Sequence, residues 1–234
     1  MVELTMTAPG KNALSAALMS DVLARVRAAN GEPLLVTGAG DAFSAGLNLK
    51  EVAELDLDGM RHFLELLEAM VEALYEYPGP TVAAVNGHAI AGGCVVALCC
   101  DLRVATRAPQ TRIGLNEVAL GVQFPPKVLA MVRRRVPPRS LERVVLEAGL
   151  HDPESSIMLG LTDELADDCV AVARTRLERL AAHPRAGYVA TKLALRGGAL
   201  ALTSAQERAF HDELVPSWVA PDAKERMRAV FVRK

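Results

Sequence analysis

The chain has 234 residues, of which 51% are apolar and 23% charged, a balance that excludes a disordered chain and suits one medium domain or one domain with a small appendage. A formal net charge of −2 excludes neither partner outright but gives no drive towards nucleic acid or an anionic membrane surface. The longest uninterrupted apolar run, Ala89 to Cys100, is too short to cross a bilayer.

The start, MVELTMTAPGKN, lacks a basic segment followed by an apolar core, so it does not read as a signal peptide. Val2 to Met6 alternates apolar and polar residues and predicts a short edge strand, ended by Pro9-Gly10. Asn12 or Ser15 is placed to cap a helix running to Ala29, with Leu14, Leu18, Val22 and Val26 on one face. Asn30-Gly31 stops it. Leu34 to Thr37 predicts a short buried strand.

Gly38 to Val52, GAGDAFSAGLNLKEV, is a glycine-rich turn after that strand. A dinucleotide fingerprint needs a glycine where Phe43 stands, and no Gly-Lys-Ser/Thr is present, so neither phosphate-binding motif applies. Asp58 to Tyr77 predicts a long amphipathic helix with Met60, Phe63, Leu64, Leu67, Met70, Val71 and Leu74 at helical spacing. Pro78-Gly79-Pro80 ends it, and Thr81 to Val85 predicts a second buried strand.

Ala89 to Leu98, AIAGGCVVAL, puts Gly92 and Gly93 between an apolar strand and an apolar helix, Cys94 to Cys100. Backbone N–H groups at such a helix start have no intrahelical partner and can hold an anion or a polarised carbonyl oxygen; the alternative is a glycine turn that only permits close packing. Leu102 to Ala105 is a third strand. Thr111 to Gly121 is a loop with Glu117 among Leu115, Val118 and Leu120. Helices follow at Pro125 to Val136 and Ser140 to Leu146. Beyond Gly149 helices dominate: Pro153 to Gly160, Val170 to Ala182, Tyr188 to Arg196, Ser204 to Leu214 and Asp222 to Phe231, with one short strand at Leu161 to Leu165. The strands therefore concentrate early and the helices late, an α/β core (residues 1–149) with a helical C-terminal region (150–234). No fixed-period repeat stands out.

Cys94, Cys99, Cys100 and Cys169 form no C-x-x-C pair, and three lie in an apolar run, which predicts buried free thiols in a reducing, cytoplasmic setting. No cluster has metal-ligand spacing, so no metal is expected. The Arg133-Arg134-Arg135 run reads as a solvated helix end or a loop, with a site for a phosphorylated ligand as the alternative. Asp101 reads as a cap or salt-bridge partner, and His88 as a packed or solvent-edge histidine. Ser44 lacks a nucleophile-elbow context. Glu117 is the acid/base candidate, since an apolar setting raises a carboxyl pKa towards neutrality. Two strand-to-turn segments with free backbone donors and one carboxylate suit a carbonyl whose oxygen becomes negative while a proton moves at the neighbouring carbon.

AFSAGLNLKEV (Ala42 to Val52), NGHAIAGGCVVALCCDLRV (Asn86 to Val104) and IGLNEVALG (Ile113 to Gly121) resemble the crotonase, or enoyl-CoA hydratase/isomerase, superfamily. KNALS (Lys11 to Ser15) and HDPESSIMLGLTDEL are similar to its N-terminal signature and its turn into the C-terminal helices. The resemblance covers essentially the whole chain. It implies a crotonase-like spiral of ββα units whose C-terminal helices build a homotrimer or a dimer of trimers. It implies acyl-CoA thioester substrates with no separate cofactor, CoA being part of the substrate.

By motif position, the N–H groups of Leu47 and Gly92 are expected to form the oxyanion hole. Ala45, Gly46, Asn48, Leu49 and Lys50 are expected to line the CoA site, with Lys50 near the phosphates and Lys11, Asn12 and Ala13 also near the CoA. Asn48 stands where the family usually has Asp. Phe124, within Gln123 to Pro126, replaces a more glycine-rich hydratase sequence beside the acyl pocket. Of the two hydratase carboxylates, one is present as Glu117 and the other is replaced by Val95. Hydration usually uses two carboxyl groups, whereas moving a double bond needs one. The pattern resembles the mitochondrial-type Δ3,Δ2-enoyl-CoA isomerases and implies isomerisation with Glu117 as the sole proton shuttle. The alternatives are hydration or decarboxylation through the same enolate, or an acyl-CoA-binding protein with weak catalysis.

Overall fold

Strands buried on both faces cannot alternate, and Leu34–Gly38 and Thr81–Val85 are buried at every position. The computed structural model describes the backbone of residues 1–232 and the side chains of residues 1–230. It places these segments inside a five-stranded parallel sheet. In chain order the strands are Val2–Met6 (β1), Leu34–Gly38 (β2), Ala42–Ser44 (β3), Thr81–Val85 (β4), His88–Ile90 (β5), Leu102–Thr106 (β6), Ile113–Gly114 (β7) and Glu164–Ala166 (β8). The large sheet has the order β1-β2-β4-β6-β8, and a second parallel sheet has the order β3-β5-β7.

Parallel neighbours need a crossover, and helices supply it. After β1 come the turn Pro9–Asn12 (α1) and Ala16–Ala28 (α2), whose cap is Ser15 accepting the Leu18 N–H at 3.1 Å. After β2 and β3 come Leu49–Val52 (α3) and Leu57–Tyr75 (α4). After β4 and β5 comes Gly92–Cys99 (α5), and after β6 and β7 a 3-10 turn at Val118–Leu120 and then Pro126–Arg135 (α6). The first winding is β1 and helix, and each of the next three is a strand in the large sheet, a strand in the small one, and helix. The chain is thus a spiral of ββα units, as its motifs imply. The repeat is invisible in sequence because the windings differ in length: the helix of one has 19 residues and that of the next 8.

The small sheet corrects the sequence reading, which treats residues 38–52 as a turn and 111–121 as a loop. Strands of two or three residues are too short to show a period. The predicted α4 stripe is core: its seven apolar residues are at most 3% exposed. Helix α5 is buried on all sides, as a helix apolar all round must be.

Beyond Gly149 the elements are mostly helical, following Pro138–Leu146 (α7): Pro153–Leu159 (α8), β8, Cys169–Ala181 (α9), Arg185–Arg196 (α10), Ser204–Ala209 (α11), a π-helical turn Phe210–Leu214, Val215–Val219 (α12) and Pro221–Val232 (α13). The helix predicted to run from Ser204 to Leu214 widens into the π turn because Pro216 has no N–H and its ring crowds the carbonyl four residues back. Asp101 is an ion-pair partner: Lys192 and Arg196 of α10 each lie 2.9 Å from its Oδ1. Burial pushes its pKa up, but these two cations hold it below the usual range. The four thiols are free and buried. Arg135 departs from the expected solvated run, since its guanidinium turns in to the carbonyls of Leu98 and Cys100.

Candidate active site

The turn after β3 and the start of α5 are brought into contact by glycine. Gly46 has φ +88°, and a Cβ there would lie 2.7 Å from the Ile90 carbonyl oxygen and 3.4 Å from the Gly92 nitrogen. Its carbonyl accepts the Leu14 N–H at 2.8 Å, and the Asn48 N–H donates to the Leu14 carbonyl at 2.9 Å. In an extended segment successive peptide groups face opposite ways. The intervening Leu47 N–H therefore faces away from Leu14, towards α5, where a Cβ on Gly92 would lie 3.6 Å from the Leu47 nitrogen.

Gly92 heads α5, so its N–H has no intrahelical acceptor, and the positive end of the helix dipole adds to it. Ala91 before it has φ +48°, a conformation that costs a non-glycine residue about 1–3 kcal/mol. That strain turns β5 sharply into α5. Leu47 and Gly92 thus lie side by side, each with a backbone N–H outside the local hydrogen-bond pattern.

Glu117 precedes the 3-10 turn at Val118–Leu120. It is 8% exposed, and its Oε2 is buried with no hydrogen-bond partner among the described residues. Burial pushes its pKa up to about 8, and only its own backbone N–H opposes the rise. Asn116 is in the same position, its Oδ1 buried with no hydrogen-bond partner among the described residues.

A cavity of about 300 Å³ joins these groups. Of the sequence-predicted residues, Ala45, Leu47, Leu49, Gly92, Val95, Glu117 and Phe124 all line it. Val95 is 1% exposed and presents an apolar surface where a second carboxylate would stand. Lys11, Asn12, Ala13, Gly46, Asn48 and Lys50 lie outside the lining. Lys11 is exposed, with its Nζ 3.6 Å from Asp41. Asn12 is buried, and its Nδ2 donates to the carbonyls of Ala39 and Ala42, so its side chain clamps the β2–β3 turn and does not face the cavity. Asn48 Nδ2 is 3.5 Å from Glu51 Oε2, and Lys50 is exposed on α3. His88 accepts the Arg112 N–H at 3.0 Å, which fits the packed role.

The sequence reading missed Leu67 of α4, Asn116, and the whole contribution of the C-terminus: Trp218, Met227 and Val230 close the cavity. The Trp218 indole N–H donates to the Gln123 carbonyl at 3.1 Å. A single tryptophan in the chain was the available signal, but its distance in sequence from the motifs hid its partner. Backbone N–H groups at Leu47 and Gly92 beside a cavity that also holds a carboxyl pushed up to about 8 by burial are the groups needed to remove a proton beside a carbonyl and stabilise the resulting enolate.

Comparison with known proteins agrees with this chemistry. A family model described as enoyl-CoA hydratase/isomerase matches residues 1–234. A putative enoyl-CoA hydratase from Thermus thermophilus is 34% identical over 213 residues, covering 86% of this chain and 80% of the relative. The mitochondrial enoyl-CoA delta isomerase 1 of Mus musculus is 28% identical over 203 residues, covering 86% of this chain and 70% of its own. Among solved structures, human mitochondrial delta3-delta2-enoyl-CoA isomerase superposes with a TM-score of 0.92 at 23% identity, over 99% of this chain and 92% of the other.

Proposed function

The chain belongs to the enoyl-CoA hydratase/isomerase family, and from that premise we propose that it moves the double bond of a 3-enoyl-CoA to the 2-position. The observation that carries the reading is that Val95 and Glu117 line one cavity, to which Glu117 brings the single carboxyl group among the described lining residues. The thioester oxygen sits on the N–H groups of Leu47 and Gly92. The Glu117 carboxylate takes a proton from C2, and the electron pair of that C–H bond spreads through the carbonyl to give a dienolate. The two backbone donors stabilise the negative oxygen, each contributing roughly 10²–10³ in rate. Glu117 then returns the proton to C4, the double bond settles between C2 and C3, and the carboxylate is regenerated. One base suffices because the proton it removes is the proton it delivers.

Hydration is the second reading, favoured by Asn116 Oδ1 and Glu117 Oε2, two unpartnered acceptors on the same cavity that one water could bridge. Product identification on a panel of 3-enoyl-CoA and 2-enoyl-CoA thioesters separates the two. Isomerisation predicts conjugated 2-enoyl-CoA from the first set as the main product. Faster formation of 3-hydroxyacyl-CoA from the second set would replace it with hydration.

A further inference from the structure

Glu117 Oε2 has no hydrogen-bond partner among the described residues, and the carboxyl is held by its own backbone N–H, so its aim depends on the backbone that carries it. Its carbonyl accepts the N–H groups of Leu120 at 3.0 Å and Val122 at 3.2 Å, which closes a turn on its C-terminal side. That turn lies at the surface: Val118 is 43% exposed, and Gly121 is exposed with φ +69°. Arg226 of α13 reaches across to it. Its Nε donates to the Leu120 carbonyl at 3.0 Å and its Nη2 to the Gly121 carbonyl at 3.3 Å. The guanidinium packs so closely that a Cβ on Gly121 would lie 2.5 Å from Nε. Asp222, one helical turn back, holds the other face of the guanidinium through Nη1 at 2.8 Å. A planar fork with donors fixed in one plane suits two adjacent carbonyls. Lys224 of the same helix binds a different segment, its Nζ 2.6 Å from the Leu55 carbonyl.

We propose that Arg226 is a positioning residue for Glu117, acting through the carbonyl oxygens of Leu120 and Gly121, with Asp222 orienting its guanidinium. The proposal rests on Glu117 being the base of the isomerase reading. Releasing the turn lets the carboxylate move from its line on C2 and C4 and lets water reach it. Misplacement costs rate, and hydration costs the raised pKa. Among the described residues no charged side chain acts on the Glu117 carboxyl; its titratable neighbour is Cys94 of α5, whose thiol burial pushes up to about 12.

The test compares parent, Arg226→Ala, Arg226→Lys and Asp222→Asn, with Lys224→Met as a control on the same helix. Steady-state turnover of a 3-enoyl-CoA is read alongside the titration of Glu117 by carbon NMR without substrate. Arg226→Ala should lower kcat about tenfold with KM within about twofold, since a small misplacement acts on the reacting geometry. The Glu117 midpoint should fall from its parent value, Arg226→Lys should recover part of both effects, and Asp222→Asn should show a weaker form of both. Lys224→Met should lower Tm and leave the Glu117 midpoint in place. An unchanged midpoint in both Arg226→Ala and Asp222→Asn, or an equal shift in Lys224→Met, overturns the proposal. If the parent does not turn over 3-enoyl-CoA while the midpoint still moves, the isomerase reading fails and the positioning stands.

Discussion

Burying a carboxyl without a partner works against the fold at any pH where that carboxyl ionises. Glu117 has an ordinary value of 4.5 and is pushed by burial to about 8. Between those values the folded state holds a proton that the unfolded state has released, so stability falls as pH rises through that window. Glu117→Gln removes the ionisation. The Tm of the variant minus that of the parent should therefore grow between pH 5 and pH 9, and a difference flat with pH would contradict the assignment. The same residue demands the opposite of catalysis, because only the carboxylate can accept the C2 proton. Turnover should rise with pH and level off above about 8. This part of the site was legible in the sequence: a lone carboxylate among Leu115, Val118 and Leu120, with Val95 apolar, is a local pattern. Asn12 was legible only in part. Its place beside the turn follows from the motif, but its inward clamp on Ala39 and Ala42 depends on the φ +57° of its own backbone.

The element that sets the donors is α5, and its two glycines have separate tasks. A Cβ on Gly93 would lie 2.3 Å from the Ser44 carbonyl oxygen, a backbone atom that cannot step aside. A Cβ on Gly92 would meet the ends of the Leu14 and Leu47 side chains, at 3.0 and 3.3 Å, which can. Gly93→Ala should lower stability by about 1–3 kcal/mol or more as β3 is forced away from α5. Gly92→Ala should leave Tm nearly unchanged, because a helical alanine gains about 1 kcal/mol over glycine and offsets the crowding. It should still lower turnover, since the new methyl sits beside the Leu47 N–H. Equal Tm losses in thermal melts of the two variants would contradict this division. The small sheet that presses β3 against α5 was not legible. Three-residue strands carry no periodic signal, and their pairing is dictated by the windings of the spiral.

At the scale of the molecule, the cavity is assembled from the turn at 45–49, the start of α5, the segment 116–128 and the C-terminal helices. The sequence motifs pointed to the first two and, in the third, to Glu117 and Phe124. They did not point to the last, because Trp218 and Met227 are ordinary apolar residues on short helices until α12 and α13 fold back over residues 120–123. That return is anchored at a distance by the buried pairing of Asp101 with Lys192 and Arg196, which ties α10 to the end of α5. No helix among the described residues is long and apolar enough to cross a membrane. The spiral therefore brings Glu117, Leu47 and Gly92 to one cavity, and the proposed isomerisation needs that one carboxyl group to act alone. The most direct test is the turnover of a 3-enoyl-CoA by the parent and by Glu117→Gln, followed through the absorbance of the conjugated product. The parent should form 2-enoyl-CoA, with a kcat lower by about 10²–10⁴ in the variant. Equal turnover by the two proteins would contradict the proposed isomerisation through Glu117.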